Sequence, residues 1–430
     1  MTSLRQTVIE AGSSLHVRDF RQLWFAGLFS FMSVQMQLLL RGVLAWDLTE
    51  SEGALGAVYL VFGLSMLVAT LSGGVAADRL PKRAVLLAAQ TVLGIVALGM
   101  GIVVLADVVA FWMLLVASGA QGLAFGFYGP ARVAFTAELV GSERIGNAIT
   151  LSLLTLNTTR IFAPTSAGLL LSVPALGIGG TYLVTAAFAV GAWLFLLRLP
   201  YRPPASTSDR RPVAELVDGI RHVAAEPRLA AIVLASTVVI MFGFNYVAFI
   251  PALVEDVFGR DEAWVGYLMS ASSLGAIVVG VPLAARADSP SAGRWMVLSG
   301  LAFGATVVLL SLAGSFWWAF VVVILIGSAT TAFQSLSNTL ALGLTDDEHR
   351  GRVQSLMMLS FAGFGIAAYP LGLLAEAIGL AGSFFVMGVV TLIASALYGL
   401  AVRRFDRVDA EPELAPGPLG VDVARTGVRS

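Results

Sequence analysis

The chain contains no cysteine, which excludes disulfides and thiol chemistry. It contains a single lysine, Lys82, and only three histidines, His16, His222 and His349. Charged residues make up 12% of the 430 positions, where a soluble domain carries roughly a quarter. The formal net charge of −1 gives no basic excess that would attract nucleic acid. No Gly-x-x-x-x-Gly-Lys-Ser/Thr loop and no His-Glu-x-x-His pair occurs, and no serine or cysteine nucleophile stands beside a base. A membrane enzyme is therefore disfavoured, and an ATP-driven pump would need its ATPase from a partner. A sensor or scaffold would need a sizeable soluble domain, and the longest polar stretch, 199–228, is too short to be one. No cofactor and no metal is implied by this residue inventory.

What remains is apolar. Hydrophobic residues are 57% of the chain and the mean hydropathy is +0.86. Crossing about 30 Å of hydrocarbon takes about twenty apolar residues, and lipid cannot satisfy backbone polar groups, so the apolar runs are helices. Twelve spans are expected: 21–46, 53–77, 83–106, 109–134, 145–172, 176–198, 229–254, 263–285, 293–313, 316–342, 352–376 and 382–402. The fold class is thus an all-α membrane protein. The N-terminal segment lacks the apolar core and small-residue cleavage site of a signal peptide, so the first span is expected to start insertion itself.

Loop charges set the orientation. The N-terminus and the even-numbered loops hold Arg5, Arg18, Arg21, Arg79, Lys82, Arg83, Arg144, Arg202, Arg210, Arg211, Arg221, Arg286, Arg294 and Arg350. The odd-numbered loops hold Asp47, Glu50, Glu52, Asp107, Glu255, Asp256, Asp261 and Glu262, against Arg260 alone. The positive-inside rule puts both termini in the cytoplasm of a multi-pass protein of the plasma membrane, the inner membrane of a bacterium. Trp24, Trp46, Trp112, Trp264, Trp295, Trp317 and Trp318 fall near expected span ends, as an aromatic belt would.

The chain divides in two. Residues 1–199 form one set of six spans and 229–404 the other. The linker 200–228 is rich in proline. Within it Val213, Leu216, Val217, Ile220 and Val223 recur at helical spacing, which reads as a short amphipathic helix on the membrane surface or, alternatively, as a flexible tether. Residues 405–430, rich in Pro, Gly and acids, read as a disordered cytoplasmic tail. The sets look like repeats at a shift near 206: Gly280-Val-Pro-Leu-Ala-Ala-Arg aligns with Gly74-Val-Ala-Ala-Asp-Arg, with Ala284 at the acidic position. Paired six-helix halves enclosing a site are a common transporter plan.

The turn after the uncharged stretch 53–77 carries Gly74, Asp78, Arg79, Lys82 and Arg83 in the pattern G-x-x-x-D-R-x-x-K/R-R. This resembles the signature of the major facilitator superfamily, with Pro81 where that family usually has glycine. Arg160-Ile-Phe-Ala-Pro-Thr-Ser-Ala-Gly168 resembles the Gly-Pro motif of the superfamily's exporters, with Ala163 ahead of Pro164. Together with Glu143-Arg-Ile-Gly-Asn147 and Glu215-Leu-Val-Asp-Gly-Ile-Arg221, it is similar to the enterobactin-exporter-like branch and the drug–proton antiporters. The resemblance implies two pseudo-symmetric six-helix bundles, a monomer, and proton-coupled efflux of a small amphipathic or anionic compound, such as a siderophore, antibiotic or drug, by alternating access. Import or facilitated passage of a small metabolite is the alternative.

A charge in hydrocarbon costs about 2.5–3.5 kcal/mol, so intramembrane charges mark function by default. Arg160 falls in mid-span with Asn157 on its face, a substrate contact or else a structural clamp. Arg41, on the face of Gln37, either serves the path or snorkels outward. Gln35, Gln121, Tyr128, Asn245, Tyr246, Gln334 and Asn338 give polar stripes, mainly on spans 1, 4, 7 and 10, that line a cavity or else bond neighbouring helices. The resemblance makes spans 1, 4, 7 and 10 the path. It also makes Asp78 an inner latch against the start of span 11; the alternative is a loop that only orients insertion. No acid falls in the middle of a span, which leaves Glu376, Asp47 and Glu138 as candidates for proton coupling.

Overall fold

The structure, a computed structural model, describes residues 13–141, 144–203, 212–284, 289, 291–346 and 349–410. Every regular element among them is helical. The first six spans are α1 (Arg18–Thr49), α2 (Glu52–Arg79), α3 (Lys82–Leu105), α4 (Phe111–Val140), α5 (Ile145–Leu171) and α6 (Gly177–Leu197). The linker helix α7 (Pro212–Ala225) follows. Next come α8 (Pro227–Phe242), α9 (Ala263–Gly275), α10 (Ala292–Leu310) and α11 (Phe316–Gly343). The last stretch, Arg350–Ala410, is broken by Gly379 at φ 81° and ψ 157°, which only glycine adopts without strain. Residues 350–378 are therefore α12 and 380–410 are α13. Among the described residues ten stretches are long and apolar enough to cross a membrane, and the last, Ala362–Phe405, holds two crossings because it folds back at Gly379.

Two expectations are corrected. The last helix runs on to Ala410, so the tail does not start at 405; residues 411–430 lie outside the described residues. Trp46 is buried, against the belt reading, because its span end packs inside the bundle. Trp112, Trp317 and Trp318 are exposed at the starts of α4 and α11, as a belt requires.

Helix ends follow local chemistry. Pro81 precedes α3, and its carbonyl accepts from the amides of Ala84 and Val85, so a two-residue turn suffices there. Gly141, at φ 75°, ends α4. Glu226 caps α8 with Pro227 in the first helical position, and Ser315 accepts from the Trp318 amide to start α11. The span begun by α8 continues in a 3-10 segment, Gly243–Phe249, and a π segment, Leu253–Val257; that begun by α9 continues in a π segment, Ala276–Gly280.

Packing within each half is repeated. In the first, α4 meets α2 where Gly122 and Gly126 face the backbone of Phe62 and Met66. In the second, α11 meets α9 where Gly327 faces the Ser272 carbonyl and Gly275 faces that of Ile324. Lipid supplies no hydrophobic drive between helices, so close backbone approach through small residues supplies dispersion instead. The halves meet along two seams, α2 against α12 and α5 against α9. In the first seam Gly56 abuts Ala368, Gly63 abuts Gly365, and Gly372 abuts Glu52. In the second, Gly168 and Gly266 touch backbone to backbone. Side chains such as Ile95, Leu234 and Leu312 point outward, as lipid-facing positions do.

Candidate substrate cavity

A cavity of about 190 Å³ lies between the halves. A water needs about 10–15 Å³ by the same measure, so there is room for on the order of ten waters or a compact solute. Its walls come from the middles of α1, α2, α4, α5, α9, α11 and α12 and from the 3-10 segment Gly243–Phe249 that follows α8. The wall is mostly apolar: Leu38, Leu39, Phe62, Met66, Phe125, Phe244, Met269 and Phe364 supply most of it. Polar groups are few and convergent, as in binding sites generally.

Arg160 is the one charged residue on the described wall. It lies roughly 22 Å and 16 Å along α5 from that helix's two ends, at a rise of 1.5 Å per residue. Its Nη1 donates to Gln334 Oε1 of α11 at 3.5 Å, a long hydrogen bond that joins the two halves across the cavity. The Gln334 Nε2 is buried without a hydrogen-bond partner among the described residues. Beside them Tyr246 and Ser272 pair at 3.4 Å.

Pro164 explains how α5 is shaped here. It has no N–H for the Arg160 carbonyl, which opens the helix at the charged residue. α9 bonds to α5 at this turn: Ser273 Oγ donates to the Ile161 carbonyl at 2.6 Å and pairs with Thr165 Oγ1 at 2.5 Å. The Gly-Pro-like motif thus builds both the cavity wall and the α5–α9 seam, which ends in the Gly168–Gly266 contact.

The residues expected on the path divide. Gln35, Arg160, Tyr246, Gln334 and Pro164 line the cavity. Gln37, Arg41, Gln121, Tyr128, Asn245 and Asn338 are not on its wall, and the Asn157 side chain lies outside the described residues. Asn245 Nδ2 donates to the Phe364 carbonyl at 3.0 Å and holds the 3-10 segment to α12. Gln37 bonds Ser33 at 3.0 Å within α1. Gln121 and Tyr128 are fully buried on the α4 face turned into the first half.

Arg41 neither snorkels nor reaches the cavity. It is 1% exposed, its guanidinium lies over the Phe62 ring at 5.1 Å, and Nη1 and Nη2 have no partner among the described residues. Phe62 is a wall residue, so this charge stands directly behind the wall.

Arg132 escaped the sequence reading. Ending span 4 at 134 made it look terminal, but α4 continues to Val140 and buries it two turns deep, over the Phe31 ring at 5.0 Å. The signal was Gly141, a helix-ending residue beyond an unbroken helical pattern.

The turn motif is used within the first half. Lys82 Nζ pairs with Glu138 Oε1 at 2.6 Å, Arg83 Nη2 donates to the Leu197 carbonyl at 2.7 Å, and Arg79 is exposed. Arg202 Nη1 donates to the Glu138 carbonyl at 2.5 Å. These ties lace α3, α4 and α6 together. The side chains of Asp78 and Arg350 and the surroundings of Gly74 fall outside the described residues, and so does the expected latch. Of the proton-coupling candidates, Glu138 is thus ion-paired and Asp47 is exposed. Glu376 Oε1 accepts from Ser51 Oγ at 2.6 Å and from the Gly53 amide at 3.0 Å, tying α12 to the start of α2. Outside the membrane, hydrogen bonds from the His349 ring and then its backbone amide hold the Asp346 carboxyl below the usual carboxylate range.

The family described as transmembrane secretion effector matches residues 11–426. The enterobactin exporter EntS of Escherichia coli O157:H7 is 27% identical over 409 residues, 93% of this chain and 96% of that one. EntS of Shigella flexneri is 28% identical over 345 residues, 78% and 80% of the two chains. Among solved structures, a bacterial homolog of the human lysosomal transporter Spinster, inward-facing and unoccupied, superposes with a TM-score of 0.70 at 15% identity, over 92% of this chain and 98% of its own. A POT family transporter in complex with 5-aminolevulinic acid superposes with a TM-score of 0.68 at 13% identity, over 90% and 96%. These two likenesses are of fold.

Proposed function

This chain belongs to the transmembrane secretion effector family of the major facilitator superfamily, a multi-pass membrane transporter and not an enzyme, and from that premise we propose that it exports a small anionic, siderophore-like compound from the cytoplasm by alternating access. The observation that carries this is Arg160: one fixed cation at mid-depth, in a largely apolar and aromatic cavity, facing an unsatisfied amide donor on the opposite half. A planar guanidinium in low dielectric favours a carboxylate or a catecholate-like oxygen pair, and the phenylalanines suit a flat apolar body. Relatives named as enterobactin exporters support the same chemistry and direction.

In this reading the basic loops are cytoplasmic and the acidic loops outside. The Glu376 tie and the Gly168–Gly266 contact then lie at the outer ends of their helices, and the cavity awaits solute from within. The two six-span halves tilt about the cavity to pass it outward. A proton entering from outside neutralises Glu376, weakens its bonds to Ser51 and Gly53, and frees the outer seam; charge-assisted hydrogen bonds are about twice as strong as neutral ones.

The test is export of a radiolabelled catecholate siderophore from loaded cells, with and without a protonophore. Retention should rise without the protein and for Arg160→Ala; normal export by that variant would remove the cavity role. Glu376→Gln should export at a rate that the protonophore no longer changes, whereas continued sensitivity would exclude this carboxylate from coupling. The cysteine-free chain makes sidedness direct: an impermeant thiol reagent should label a cysteine at residue 260 on intact cells and leave one at residue 80 untouched.

A further inference from the structure

A cluster far from the cavity uses two of the chain's three histidines. His222 lies in the last turn of α7, and His349 immediately precedes α12. Their rings stack at 4.0 Å between centroids with 4° between planes. His349 Nδ1 lies 2.6 Å from Asp346 Oδ1, and its Nε2 lies 3.7 Å from Asp218 Oδ2, one turn before His222 on α7. His222, Asp346 and His349 can each place one ligand atom within 4.8 Å of the others.

We propose that His222, His349 and Asp346 bind a divalent transition-metal ion that fastens the linker helix to the start of α12. Two imidazoles and a carboxylate are the donor set of open zinc sites and of related first-row metal sites. With metal–nitrogen bonds of about 2.1 Å, tetrahedral ligands stand about 3.4 Å apart, so the two rings, parallel in this structure, must tilt toward each other to aim their in-plane nitrogens at one ion. The His222 Nε2 is buried and has no hydrogen-bond partner among the described residues, which leaves one ring nitrogen ready for a ligand. Asp346 and Asp218 are more than half exposed, giving a hydrated ion an entry path and a second negative charge nearby. The competing reading is a hydrogen-bonded trio that positions α7 with no ion. A bound ion would cross-link the linker to the second half on the side of the bundle where α7 also touches α2.

The full chain, purified in detergent without a polyhistidine tag and stripped with chelator, would be titrated with Co²⁺ and then Zn²⁺. One Co²⁺ per chain with the visible absorption of a four-coordinate centre, displaced by Zn²⁺, is expected. His222→Gln and His349→Gln should each weaken binding at least tenfold. His16→Gln should leave it unchanged. Zn²⁺ should raise the unfolding midpoint of the unsubstituted chain and of His16→Gln alone. Weak multi-site binding, or binding equal in all three histidine variants, would overturn the proposal. Should a histidine variant fail to fold, Asp346→Asn serves in its place, and Co²⁺ binding at full strength by that variant overturns it equally.

Discussion

The two halves share a packing scheme and differ in charge. In the first, Arg41 and Arg132 are buried within the bundle and Arg160 reaches the cavity. In the second, the buried polar side chains among the described residues are all neutral: Asn245, Ser273, Ser299, Ser328, Thr330 and others. The second half departs instead in its backbone, through the 3-10 and π segments that follow α8 and α9. Mid-helix segments of that kind often mark hinges and functional sites. The duplicated plan therefore preserves where glycines let helices approach, not where charge is placed. One half supplies the electrostatics of the cavity, and the other a softer wall facing it.

The sharpest way to test this division is to remove the cavity charge. Arg160→Ala should lower export about ten- to a hundredfold or more while the protein still inserts, because a desolvated charge-assisted contact is worth roughly 1.5–3 kcal/mol and more when bidentate. Export within about threefold of normal would show that the charge difference between halves has no bearing on solute. A smaller effect is expected where the halves meet. Gly168→Leu puts a side chain into the Gly266 backbone, so the seam cannot close and turnover should fall about tenfold, with substrate binding in detergent retained. Unchanged turnover would mean that this contact is not part of the cycle. The smallest effect should come from a buried charge that the cavity does not see. Arg41→Met removes two unpartnered donors, each costing about 1–3 kcal/mol, and should raise the unfolding midpoint with export changed less than about twofold. A collapse of export there would promote Arg41 from behind the wall to the path.

Hydropathy made the fold legible because lipid leaves an apolar chain only one way to satisfy its backbone. The turn at Gly74–Arg83 made the superfamily legible, and Arg160 was legible because a mid-span charge is costly. The polar stripes were less so. Helical period places Gln121 and Tyr128 on one face, yet it does not say whether that face looks toward the cavity or toward neighbours in the same half. In the structure it looks toward neighbours, while Gln334, an equally bare signal, reaches the cavity. Arg132 was hidden by a span end placed six residues short of Val140. Asn245 fell on an expected path helix, but the 3-10 winding of Gly243–Phe249 turns its amide toward α12.

The seam at Gly168 and Gly266 has a kinetic consequence. Where Gly168 and Gly266 touch, main chain meets main chain and no rotamer has to be reset on parting, while Ser273 in the same seam holds Thr165 and Ile161 by hydrogen bonds. Under the proposed alternating access, such a joint would part without waiting for side chains at that point to repack.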